Sequence, residues 1–203
     1  MHRAAELHLA QADRVLAGVI REVGPCRMRP RRNCQPFQSL VQAVAHQQLN
    51  GTAAQTILKR FIALFPGTKF PSPEAILAAP EERLRSAGLS RAKTAAIKDI
   101  AHQTTTGVVP TRREAARLSD AELIARLTEI RGVGPWTVEM FLMFTLGRRD
   151  VLPVGDYGVR CGFAKAYGWK ALPTPKELLA EGERWRPYRS IAAWYLWRVL
   201  DAQ

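Results

Sequence analysis

Two short stretches of this 203-residue chain carry residues whose types and spacing could do chemistry. The first is Leu127-Thr128-Glu129-Ile130-Arg131-Gly132-Val133-Gly134-Pro135-Trp136-Thr137-Val138-Glu139. A helix runs into Gly-Val-Gly, and a new helix starts at Pro135. Two glycines around one small apolar residue permit positive φ and close backbone approach to a ligand. Amides around Gly134, at the positive end of the second helix, would form an anion site. Such a site suits a backbone phosphate and reads no base sequence. Gly-x-Gly alone is an ordinary helix-ending turn; the full Leu-x-x-Ile-x-Gly-Val-Gly-Pro-Trp-Thr pattern is far more specific. The second stretch is Pro153-Val154-Gly155-Asp156-Tyr157-Gly158-Val159-Arg160. Asp156 ahead of Tyr-Gly-Val-Arg suits a helix N-cap. The same carboxylate could stabilise positive charge developing on a substrate and position or deprotonate water.

Helical periodicity dominates the elements that must hold these residues, and no alternating strand pattern stands out. Residues 5 to 23 read as a first helix, with Leu9, Leu16, Val19 and Ile20 among its apolar positions. A basic loop follows, holding Arg27, Arg29, Arg31 and Arg32; it reads equally as a solvated, mobile segment and as a contact surface. Phe37, Leu40, Val41 and Val44 mark the next helix, and another runs from about Thr52 to Phe65. Ser72-Pro73 is an N-cap with proline at the first helical position. Ser119 to Glu122 and Thr174 to Glu177 are capping boxes. The last helix lies near Ser190 to Leu200. The expectation is an all-α fold of roughly nine to eleven short helices.

The chain carries 30 Lys and Arg against 18 Asp and Glu, a net charge of +12. That balance points to a polyanionic partner, nucleic acid ahead of an anionic membrane. No apolar run approaches the roughly 20 residues that span a bilayer. The first residues lack a signal-peptide plan, so a cytoplasmic, nucleoid-associated location is expected. Cys26, Cys34 and Cys161 are odd in number and scattered. This spacing argues against a disulfide framework and against zinc or iron–sulfur ligation.

The hairpin segment resembles that of the helix-hairpin-helix DNA glycosylase superfamily, and its Gly-Val-Gly-Pro-Trp-Thr form is similar to the alkylpurine branch, the DNA-3-methyladenine glycosylase II type. The resemblance continues in family order along nearly the whole chain. It takes in His46-Gln47-Gln48-Leu49, the Gly88-Leu89-Ser90 turn, the Asp156 loop, and the closing segment from Trp185 to Trp197. It implies two helical lobes around a cleft, one from about 37 to 148 and the other joining about 1 to 36 with 149 to 203. It implies hydrolysis of the N-glycosidic bond of alkylated purines such as 3-methyladenine and 7-methylguanine, in base excision repair.

On that resemblance Asp156 is the catalytic carboxylate, facing a sugar that gains positive charge as the bond breaks. Gly132, Val133, Gly134 and Thr137 contact DNA. Gln48 and Leu49 stand where such enzymes fill the gap left by a flipped base, and either could do so. Trp136, Tyr157, Trp194 and Trp197 are candidates for stacking on the base, with helix-core packing as the alternative for each. Lyase relatives carry a nucleophilic lysine at the position of Trp136, so this chain should release the base without cutting the strand. The resemblance extends to a structural Na⁺ or K⁺ on the carbonyls of Thr128, Ile130 and Val133. It implies no catalytic metal or organic cofactor, and a monomer acting on double-stranded DNA. Two rival readings are a non-catalytic DNA-binding module built on the same hairpin, and a glycosylase for other damaged bases.

Overall fold

A computed structural model describes residues 2–31, 33–49 and 51–201. In chain order the helices are α1 (Arg3–Ala12), α2 (Arg14–Val23), α3 (Pro36–His46), α4 (Gly51–Ala63), α5 (Pro73–Ala78), α6 (Glu81–Arg85) and α7 (Arg91–Thr105). They continue with α8 (Arg112–Ala115), α9 (Asp120–Thr128), α10 (Pro135–Phe141), α11 (Tyr157–Tyr167), α12 (Pro175–Gly182) and α13 (Arg189–Asp201). A π-helical turn, Leu142–Leu146, extends α10, and a 3₁₀ turn, Glu183–Trp185, follows α12. The fold is all-α, with no strand among the described residues. The thirteen α-helices among the described residues exceed the nine to eleven expected, because α6 and α8 span only five and four residues and carry too little periodicity to read.

The chain divides into two compact units, Arg31–Leu146 and Met1–Pro30 with Gly147–Gln203. The first begins at Arg31, a few residues before the boundary of about 37 that the resemblance implies. The Arg31 amide donates to Phe144 O at 2.8 Å, and Arg112 donates to Cys34 O at 3.1 Å. These bonds tie Arg31 and Cys34 to that unit. The basic loop is therefore anchored at both ends, since Met28 is buried and its carbonyl bonds the His2 ring at 2.8 Å. Arg32, also read as part of that loop, lies outside the described residues.

In the terminal unit the expected single helix over 5 to 23 is two. Asp13 leaves helical geometry and caps α2, accepting the amides of Val15 at 2.9 Å and Leu16 at 3.1 Å. Its buried carboxylate also accepts Trp185 Nε1 at 2.9 Å and the Tyr167 hydroxyl. Apolar periodicity runs straight through this break, so only long-range partners reveal it. Nearby, α11 packs on α13 with backbone in contact. A Cβ at Gly162 would lie 2.0 Å from Leu196 O.

The Arg31–Leu146 unit buries Leu40, Val44, Phe61, Ile97, Leu127 and Phe141 among its helices. Its helix starts follow the sequence signals: Ser72 caps α5, and Ser119 forms a reciprocal capping box with Glu122. In the terminal unit Thr174 does the same with Glu177. Thr111 and Glu114 add a third box, on α8, that the sequence reading did not single out. No helix among the described residues is long and apolar enough to cross a membrane.

Candidate functional site

The hairpin joins α9 to α10. Leu127 and Ile130 are buried and fix its inner side, and Val133 is buried as well, with its amide bonded to Ile130 O at 3.0 Å. The Arg131 amide donates to Asp99 Oδ2 on α7 at 2.8 Å. Positive φ, which the sequence allowed at either glycine, occurs at Gly132 alone, at +75°; Gly134 is extended at φ −97°. Gly132 is also required by space, since a Cβ there would sit 2.6 Å from Ala96 Cβ. Nothing lies within 4 Å of a Cβ built at Gly134. Its carbonyl takes the Thr137 amide at 2.9 Å and begins α10, with Pro135 at the first helical position. Among the described residues the amides of Gly132 and Gly134 have no protein acceptor, so both remain available to an anion.

Thr137 is buried rather than turned outward, and its hydroxyl accepts Gln47 Nε2 at 2.9 Å. The same Gln47 amide group reaches Gly132 O at 2.9 Å. Gln48 follows at φ 56°, exposed, and then Leu49, 40% exposed. Lys93 Nζ donates to Ala45 O at 2.9 Å and Gln47 O at 2.8 Å, and burial holds its ammonium below the ordinary lysine range. Of the residues on this surface, Gln47 is part of the His46-Gln47-Gln48-Leu49 resemblance, whereas Lys93 and Asp99 carried no assigned role. Partners of these two lie 32 to 48 positions away, and no local pattern marks the contacts.

Trp136 is half-buried and lines a cavity of about 190 Å³ with Arg31, Ser39, Gln42, His46, Met140 and Phe144. Its polar wall comes from one face of α3, where Ser39, Gln42 and His46 recur at helical spacing. The His46 Nδ1–H donates to Gln42 O at 2.7 Å, and Arg31 donates to the Gln42 side chain.

In the terminal unit Asp156 caps α11. Its Oδ1 accepts the Val159 amide at 2.7 Å and Trp197 Nε1 at 2.9 Å. Gly158 clears the space between them, since a Cβ there would lie 2.9 Å from Trp197 and 3.2 Å from Asp156 Oδ1. The preceding loop is pinned to the start of α13. Ser190 Oγ donates to Arg148 O at 2.8 Å and accepts the Val151 amide at 2.9 Å, and Arg189 meets Asp150 at 2.8 Å. Of the other predicted aromatics, Tyr157 is 71% exposed, whereas Trp194 is half-buried with Tyr195 edge-on at 5.0 Å. Asp156 is both cap and anchored carboxylate, held in one orientation by two donors.

A family model described as HhH-GPD superfamily base excision DNA repair protein matches residues 41–187, a span that includes the hairpin and Asp156. DNA-3-methyladenine glycosylase 1 of Schizosaccharomyces pombe is 41% identical over 198 residues, covering 96% of this chain and 86% of that protein. Alkylbase DNA glycosidase-like protein mag2 of the same yeast is 31% identical over 199 residues, covering 98% and 93%. A solved structure of the S. pombe 3-methyladenine DNA glycosylase in complex with abasic DNA is similar at TM-score 0.91, covering 96% of this chain and 95% of that one. The chain belongs to the HhH-GPD superfamily of base excision DNA repair proteins.

Proposed function

We propose that this chain is a monofunctional DNA glycosylase that hydrolyses the N-glycosidic bond of alkylated purines, 3-methyladenine and 7-methylguanine among them. The observation that carries the proposal is the anchored Asp156 carboxylate, fixed by Trp197 and Val159 at a helix start. As the bond breaks, its electron pair leaves with the base and positive charge gathers at the sugar C1′ and ring oxygen. A carboxylate already oriented toward that charge stabilises it without reorganising. Water then adds at C1′ and gives up a proton, leaving an abasic sugar. A cationic alkylpurine leaves without strong protonation, so a second acid is unnecessary. Names of relatives at 41% and 31% identity support the same substrate class.

Backbone amides at Gly132 and Gly134 would hold a DNA phosphate, with Gln48 or Leu49 entering the duplex. Trp136 would stack on the base, and Tyr157, Trp194 and Trp197 are the other aromatics proposed for its surround. Trp136 has no amine with which to form an imine, which supports base release without strand cleavage. One chain carries both hairpin and carboxylate, which supports a monomer working on double-stranded DNA, in the nucleoid. The carbonyls of Thr128, Ile130 and Val133 offer a structural Na⁺ or K⁺ the oxygen donors a hard cation takes. Ile130 O already accepts the Val133 amide at 3.0 Å, and carbonyl oxygen has a second lone pair for such an ion. No catalytic metal or organic cofactor enters the proposal.

Asp156→Asn tests it. The amide keeps an oxygen for the cap but removes the negative charge. Single-turnover excision should fall by about 10²–10³-fold, while DNA affinity holds and the melting curve shows a folded protein. Wild-type excision by the folded variant would leave Asp156 as a cap alone.

A further inference from the structure

We propose that Lys93 is a positioning residue, whose ammonium clamps the end of α3 so that residues 47 to 49 keep a fixed place beside the hairpin. Helix α3 ends at His46, and its last carbonyls lack partners within the helix. Two carbonyls at this end, Ala45 O and Gln47 O, are taken by one side chain from another helix, Lys93 Nζ at 2.9 and 2.8 Å. A cation also suits the negative end of a helix. Lys93 is half-buried and forms no ion pair among the described residues, so its charge is directed to backbone rather than to solvent or to an acid.

The turn so held is also bonded to the hairpin, through Gln47 Nε2 on Gly132 O and Thr137 Oγ1, both at 2.9 Å. Helix α7 meets the hairpin directly at two further points. Asp99 accepts the Arg131 amide at 2.8 Å, and Ala96 packs where a Gly132 Cβ would otherwise stand. Positions 93, 96 and 99 are spaced three apart along α7, so one helix sets the register of both the turn and the hairpin. The residues presented beyond the clamp are Gln48, at a positive φ of 56°, and Leu49. A non-glycine residue persists at such a φ only where neighbours over-determine the backbone. Lys93 and Gln47 supply that determination.

This inference rests on the proposed entry of Gln48 or Leu49 into the duplex, so the test reads insertion apart from base release. The probe is a duplex carrying a tetrahydrofuran abasic analogue beside 2-aminopurine, whose fluorescence rises when its stacking is displaced. Lys93→Met at saturating protein should give a smaller rise than wild type. It should also slow single-turnover excision of 7-methylguanine by about 10–100-fold, as a misplaced group does, with affinity for undamaged duplex within about threefold. Lys93→Arg, which can reach both carbonyls, should restore the signal. Gln47→Ala should reproduce the loss from the other end, and the double variant should be no worse than the worse single one. A full fluorescence rise with Lys93→Met overturns the proposal, as does a loss that Arg does not rescue. If Lys93→Met fails to fold, Gln47→Ala decides, and a full rise there overturns it. A wild-type protein that inserts but frees no base would contradict the glycosylase reading while leaving the clamp supported.

Discussion

Under the proposed function, the Asp156 carboxylate held by Trp197 carries the chemistry. Their side chains meet 41 positions apart, across the α11–α13 contact, so neither residue announces the other in sequence. As a helix cap Asp156 was legible because its signal is local, a Gly-Asp before a helix start, whereas its catalytic role was implied by the family resemblance. Trp197 was legible only as an aromatic on a helix; that its N–H would point at the carboxylate depends on the clearance at Gly158 and Gly162. Trp197→Phe keeps a ring in place and removes the donor. A hydrogen bond to a charged group contributes roughly 1.5–3 kcal/mol, so the single-turnover excision rate should fall by about tenfold or more with DNA affinity unchanged. An unaltered rate would show that the Trp197 N–H is not needed to orient the carboxylate.

At the level of elements, the two hairpin glycines divide the labour. Gly132 serves the fold, through its φ of +75° and its contact with Ala96. Gly134 has an ordinary backbone and open space, so under the proposed function its lack of a side chain leaves room for a phosphate. Gly132→Ala should therefore destabilise the protein by about 1–3 kcal/mol in denaturant unfolding. Gly134→Val should leave stability within about 0.5 kcal/mol but weaken duplex binding. Equal loss of stability in both variants would undo this division. Helix starts were readable because Ser72, Ser119 and Thr174 bond within three residues of themselves. The break at Asp13 was hidden because Trp185 and Tyr167, which stabilise its carboxylate, lie 172 and 154 positions away. The same holds for Lys93 and Gln47, whose roles arise only when α3, α7 and the hairpin are assembled.

For the whole molecule, the net charge of +12 and a hairpin that offers backbone amides are what the proposed function uses to hold DNA without reading its sequence. Affinity for undamaged duplex should fall by orders of magnitude between about 50 and 200 mM salt, as counterion release requires. A flat salt response would remove electrostatics as the source of binding. Family membership, the anchored carboxylate and the tryptophan at position 136 converge on one reaction outcome, and the products report it most directly. The protein should be incubated with methylated duplex DNA, the released bases separated, and the strand analysed before and after alkali. The account predicts free 3-methyladenine and 7-methylguanine, a strand that stays whole until alkali is added, and no covalent adduct with borohydride. Absence of any released base, or a borohydride-trapped protein–DNA product, would contradict it.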